Sequence, residues 1–140
     1  MTFEKSCGAI IVRNNDDKLE TLLIQMWGGH WSFPKGHVEN DETEIKTAIR
    51  EIKEETNLDV TIDTRFREVS TYSPKTNVMK DVIFFIAIPK TTNVINQKEE
   101  IQQSMWMEIN EALNQVTFDN DREILKKAII YINNHLEEIK

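Results

Sequence analysis

At 140 residues, with 39% hydrophobic and 29% charged side chains, the chain has the size and balance of one globular domain with a real core. Its longest apolar run, VIFFIAI, is too short to span a bilayer. A net charge of −7 with no Lys/Arg cluster argues against binding to nucleic-acid backbones or anionic membranes. A phosphate-bearing partner would therefore need something cationic between itself and the protein.

The segment MTFEKSCGAI has neither a basic start nor a long apolar middle, so a cytoplasmic location is expected. CGAIIV and LETLLIQM read as strands flanking the turn RNNDDK, a hairpin-like pair. The single cysteine, Cys7, lies in an apolar run and reads as a small buried hydrophobe. Gly28, Gly29 and Pro34 then break the pattern. Over 43–56, Ile45, Ala48, Ile49 and Ile52 follow i, i+3, i+4, i+7, which predicts a helix with one apolar stripe. Asp41 and Glu44 have N-cap and N3 spacing, so the helix is expected to start near Asp41. DVTIDTRFREVSTY predicts a long strand. DVIFFIAIP, apolar on both faces, predicts a strand in the middle of the sheet. SMWMEI predicts another strand, and 109–115 a short helix. Leu125, Ala128, Ile129, Ile132, Leu136 and Ile139 predict a final helix over 119–139, opened by a capping box from Asn120 to Glu123. His135 is expected on its surface. No repeat, low-complexity stretch or linker divides 1–140. The fold class is α/β, a mixed sheet between helices.

The first helix carries the chemistry. Glu51, Glu54 and Glu55 fall together on the flank of its apolar stripe, at i, i+3, i+4. Like charges at these spacings cost roughly 0.2–0.5 kcal/mol per pair on an isolated helix. Lys46, Arg50 and Lys53 point mostly elsewhere, although Arg50 reaches Glu54 at i+4. The alternative is a plain solvated acidic face. Against it stands FPKGHVE, just before the helix. Gly36 can bring its backbone carbonyl close to an ion, and Lys35 can reach a phosphate. The cluster suits a hard divalent cation, which prefers carboxylate oxygens.

The spacing Gly36, five residues, Glu42, seven residues, then REIKEETNL (50–58) resembles the Nudix box, the signature of hydrolases acting on nucleoside diphosphates linked to another group. The likeness extends over nearly the whole chain and implies a Nudix-type α/β/α sandwich. Asn57 stands where the family usually has glycine. Asn is the best tolerated left-handed residue after glycine, so the helix is expected to end in the same way.

The resemblance implies Glu51, Glu54 and Glu55 as ligands of Mg²⁺, with Mn²⁺ a possible substitute, and the Gly36 carbonyl completing the set. Arg50 and Glu42 would orient these carboxylates. A further carboxylate is implied outside the box, with Glu100 favoured over Glu99, as metal ligand or as base for the attacking water. GGHWSFPKGHVE, TYSPKTNVMKDVIFFIA and VTFDNDREILKKAI resemble the asymmetric dinucleoside tetraphosphate hydrolases. That likeness implies His30, Lys35 and Lys80 on a phosphate chain, and Tyr72 and Phe118 around a base.

Each has an ordinary alternative. Tyr72 and Phe118 could be core or rim aromatics, and His30 a loop residue packed on Trp31. Lys75 competes with Lys80. Trp27, Trp31 and Trp106 read as packing, and His37 has no assigned role. The expected activity is Mg²⁺-dependent hydrolysis of a dinucleoside tetraphosphate to a nucleoside triphosphate and a monophosphate. The alternatives are a nucleoside triphosphate pyrophosphohydrolase, of the oxidised-nucleotide or RNA 5′-end type, and a catalytically silent nucleotide sensor. The filled box argues against silence.

Overall fold

In the computed structural model, residues 1–139 are described; Lys140, the last residue of the expected domain, lies outside them. β1 (Thr2–Asn15) turns at Asp16 and Asp17, both at positive φ, into β2 (Lys18–Met26). Two consecutive left-handed residues match the right-handed twist of a two-residue hairpin, and Asp tolerates them. Two short strands follow, β3 (Trp31–Ser32) and β4 (Lys35–His37). Helix α1 (Glu44–Thr56) leads to β5 (Val60–Lys75), β6 (Val78–Pro89) and β7 (Ile101–Glu108). Helices α2 (Ile109–Gln115) and α3 (Asp119–Asn133) complete the chain, followed by one 3-10 turn (Leu136–Glu138). Among the described residues, no helix is long and apolar enough to cross a membrane.

The sheet is mixed, in the order β3-β2-β1-β6-β5, with β4 on β1 and β7 on β2. β1 runs parallel to β6 from Thr2↔Val78 to Ile11↔Ala87, a pairing that hairpin logic does not predict. β6 lies between β1 and β5, and Phe84, Phe85, Ile86 and Ala87 are all buried, as its two-sided apolar pattern predicts. Alternation then builds two cores. Ile10, Val12, Phe84 and Ile86 pack with Leu125, Ala128 and Ile132 of α3. Cys7, Ala9, Ile11, Ile83 and Phe85 pack with Ala48 and Ile52 of α1. Each fully buried aliphatic side chain contributes roughly 1.5–3 kcal/mol. The architecture is a sheet sandwiched between helices.

Four local expectations are corrected. Asp41 does not cap α1, because its φ of 63° is left-handed whereas an N-cap needs extended backbone. Thr43 caps instead, its side chain accepting from the Lys46 N–H at 3.1 Å, and Glu44 is bound to Arg67 and Lys5. The Asn120–Glu123 capping box is not formed. Phe118 is the N-cap of α3 without a side-chain bond, and Asp119 and Asp121 supply negative charge to the first turn. That helix stops at Asn133, so Leu136 and Ile139 lie beyond it. His135 is not a helix-surface residue but stacks on Tyr131 with centroids 4.0 Å apart.

Candidate active site

The buried face of α1 is rotated from the predicted stripe. Thr47, Ala48, Ile52, Glu55 and Thr56 face inward, while Ile45 and Ile49 are each 40% exposed. Glu55 is therefore not on the flank but within the buried face, 3% exposed. Asn57 ends the helix at φ 69°, its N–H donating to the Lys53 carbonyl at 2.9 Å, as expected of a glycine substitute.

Arg50 organises the acids. Its Nε and Nη2 donate to the two oxygens of Glu42 at 2.8 and 2.9 Å. Nη1 donates to Glu51 Oε1 at 2.8 Å and reaches Glu54 at 3.3 Å, and Nη2 also donates to the His37 carbonyl. His37 thus serves through its backbone. The Arg50 bonds, helped by the Glu39 N–H and the Thr47 hydroxyl, bring the Glu42 carboxyl down to about 2. Glu42 is a fixed anion that orients Arg50, and Arg50 orients Glu51 and Glu54.

Glu55 is the opposite case. Burial, then the charges of Glu51 and Glu100, push its carboxyl up to about 9, opposed by the charge and backbone N–H of Lys35. Its Oε2 is buried with no hydrogen-bond partner. Burial also raises Glu51, against the pull of Arg50 and with Glu54 and Glu100 adding to the rise. Gly36 lies against this group. A Cβ built on it would meet the Glu51 carboxyl carbon at 2.0 Å, so no other residue fits without moving Glu51. Gly8 has the same role one strand away, where a Cβ would meet the Pro34 carbonyl at 2.1 Å. Sequence reasoning missed Gly8; only the β1–β4 register reveals it.

These observations are a test of fit for a divalent cation. The orphaned Glu55 oxygen, the raised carboxyls and the side-chain-free approach at Gly36 suit a cation held by Glu51, Glu54, Glu55 and the Gly36 carbonyl. Among the described residues no three such groups already form a closed cage.

Glu100 sits in the turn directly before β7. The Ile95 and Gln97 N–H groups donate to the carbonyls of Thr56 and Glu55 at the end of α1, and Asn57 Nδ2 donates to the Asn93 carbonyl. Trp27, exposed and read from sequence as packing, ties the other end. Its N–H donates to the Glu100 carbonyl at 3.2 Å and its indole Nε1 to the Lys98 carbonyl at 2.8 Å. Glu100 therefore sits close enough to load both Glu51 and Glu55 with its charge. Trp31 and Trp106 do pack against the cores.

Beside the acids lies a cavity of about 440 Å³ whose lining includes His30, Lys35, Tyr72, Phe118 and Asp121. His30 packs on Phe118, centroids 5.4 Å apart, rather than on Trp31. Tyr72 pairs across the strands with Lys80, which is half-buried. Lys80 is depressed by burial and by the charge of Lys35, so these two ammonium groups share a neighbourhood. Lys75 is exposed at the β5–β6 turn, away from the cavity lining. Burial and Lys35 likewise lower His30. Lys35 is felt by Glu55 on one side and by His30, Lys80 and Asp121 on the other, so it stands between cavity and acid helix. Asp121, buried in the cavity wall, was not singled out from sequence; only the start of α3 at Asp119 brings it inward.

A family model described as NUDIX domain matches residues 3–128. The asymmetrical bis(5′-nucleosyl)-tetraphosphatase of Mus musculus is 33% identical over 136 residues, covering 89% of this chain and 92% of that protein. The protein of the same name from Caenorhabditis elegans is 32% identical over 133 residues, covering 91% and 96%. In structure, a binary complex of C. elegans Ap4A hydrolase superposes with a TM-score of 0.86 at 31% identity, covering 94% of this chain and 98% of that one.

Proposed function

The chain belongs to the Nudix hydrolase family, and on that premise we propose that it cleaves dinucleoside tetraphosphates off-centre, to a nucleoside triphosphate and a monophosphate, with Mg²⁺. The observation that carries this reading is Lys35, placed between an aromatic-walled cavity and a helix of carboxylates. A base fits the cavity, a phosphate chain the lysines, and a cation the acids. The names of the related mouse and nematode enzymes support the same substrate.

Glu51, Glu54, Glu55 and the Gly36 carbonyl would hold Mg²⁺, which when bound supplies charge neutralisation and an acidified water at the phosphorus. The rest falls to side chains. Tyr72 and Phe118 hold one base, a stack contributing roughly 1–3 kcal/mol. Lys35, Lys80 and His30 fix the phosphate chain at a set distance from it. Arg50, held by Glu42, keeps Glu51 and Glu54 in place. Glu100 accepts the proton of the attacking water. An anchored base and a fixed attack point select one phosphorus.

The test is chromatography of the products of diadenosine tetraphosphate. ATP and AMP are expected. Mainly ADP would refute the off-centre register. No cleavage, beside rapid conversion of a nucleoside triphosphate to monophosphate and pyrophosphate, would assign the chain to the pyrophosphohydrolases.

A further inference from the structure

Stacking between Tyr72 and Phe118 holds any base. Choice between bases then falls to the polar groups of the lining, and among them Asp121 is the buried carboxylate. Asp121 is 7% exposed and lines the same space as the two aromatics. It is three residues after Phe118, so the two sit on neighbouring positions of the first turn of α3. Burial pushes its carboxyl upward, while Lys35 and Arg122 act through charge alone and no hydrogen bond contributes. Arg122 is engaged elsewhere, by Asp119 and by the carbonyls of Leu113 and Val116. Among the described residues no donor is bonded to the Asp121 oxygens, which leaves them free for a ligand that brings donors into the cavity.

We propose that Asp121 reads the edge of the bound base and makes this enzyme prefer guanine to adenine. This rests on the reading of the cavity as a base slot. The lysines draw the phosphate chain, which leaves the aromatic walls and Asp121 to the base. Guanine presents two adjacent N–H donors, N1–H and the 2-amino group, which suit the two oxygens of one carboxylate. Adenine presents one donor beside the bare N1 acceptor, which repels a carboxylate oxygen. Ser70 and Asn120, also in the lining, are neutral donors suited to the guanine carbonyl.

The test titrates guanosine and adenosine 5′-monophosphates into the full chain by calorimetry at about pH 8, with excess EDTA. The wild type is expected to bind the guanine nucleotide at least about fivefold more tightly, the lower end for one good bidentate pair. Inosine monophosphate, which lacks the 2-amino group, should fall between. In Asp121→Asn an amide donor replaces one oxygen and complements the adenine edge, so the preference should vanish or invert. Equal binding of both nucleotides by the wild type, or binding of neither, overturns the inference, as does an unchanged ratio in the variant. Cleavage of diguanosine and diadenosine tetraphosphates is followed in parallel. Cleavage without base preference removes Asp121 from selection and leaves the activity. Guanine preference in binding without cleavage keeps Asp121 and sinks the tetraphosphate as substrate. Should Asp121→Asn fail to fold, the wild-type ratios decide alone.

Discussion

Replacing Glu55 by glutamine should stabilise the cation-free protein and remove most of its response to Mg²⁺. The Glu55 carboxyl moves from 4.5 to about 9 on folding. A group raised in the folded state contributes its full stability below 4.5 and loses it as pH climbs towards 9. Across the interval from 4.5 to pH 8 the loss is bounded at about 5 kcal/mol, at about 1.36 kcal/mol per pH unit. Glutamine has nearly the same shape and no charge to desolvate. In EDTA at pH 8, Glu55→Gln should therefore melt at least about 5 °C above the parent, since 1 kcal/mol shifts a domain of this size by several degrees. At pH 5 the two should nearly coincide. Millimolar Mg²⁺ should raise the parent by mass action and the variant far less, closing the gap from the other side. Scanning calorimetry at the two pH values, with and without Mg²⁺, measures all of this. A variant that melts below its parent in EDTA at pH 8, or a gap unchanged at pH 5, would refute the claim that Glu55 is a strained buried acid.

Other changes address the site piece by piece. Glu54→Gln, at a half-exposed position, should leave melting in EDTA nearly unchanged yet reduce turnover by orders of magnitude; near-normal rates at limiting Mg²⁺ would remove it from the cation site. Gly36→Ala must displace the Glu51 carboxyl, which a Cβ would otherwise meet at 2.0 Å. A shift of this size should lower kcat by about a hundredfold, at a cost of roughly 1–3 kcal/mol in stability, both read from one preparation by kinetics and melting. Trp27→Phe deletes the indole bond to Lys98, worth about 0.5–1.5 kcal/mol. Hydrogen exchange should rise in the loop before Ile101 and kcat should fall; unchanged exchange would show that the loop is held without it. Tyr72→Ala should raise KM more than it lowers kcat, because stacking acts on ground and transition states alike.

The sheet-forming runs and the acid helix were legible because local pattern and tertiary role agree there. DVIFFIAIP is apolar on both sides because strands flank it and cores cover both faces. The grouping of Arg50 with Glu42, Glu51 and Glu54 was legible because it lies on one helix and the turn before it. What was not legible depends on partners distant in sequence. Ile45 and Ile49 look buried by period, but the chain folds the acid side of α1 inward against 94–97 and leaves them half out. Asp41 fits a cap by spacing, yet the turn before α1 gives it a left-handed backbone. Trp27 looks like filler until Lys98 and Glu100 arrive beside it. Asp121 looks like one more acid in DND until α3 begins one residue after Phe118. None of these contacts leaves a periodic trace.

The parallel pairing of β1 with β6 also joins segments far apart in the chain. Thr2 must wait for Val78, and the cavity wall for Phe118 and Asp121 near the far end of the chain. A hairpin of β1 and β2 closes early and locally, whereas the core strand and the last helix join late, at the entropic cost of distant closure. During synthesis the acids of α1 are therefore made long before the cavity wall is complete. A chain cut before α3 would carry the carboxylates without the Phe118 and Asp121 side of the cavity.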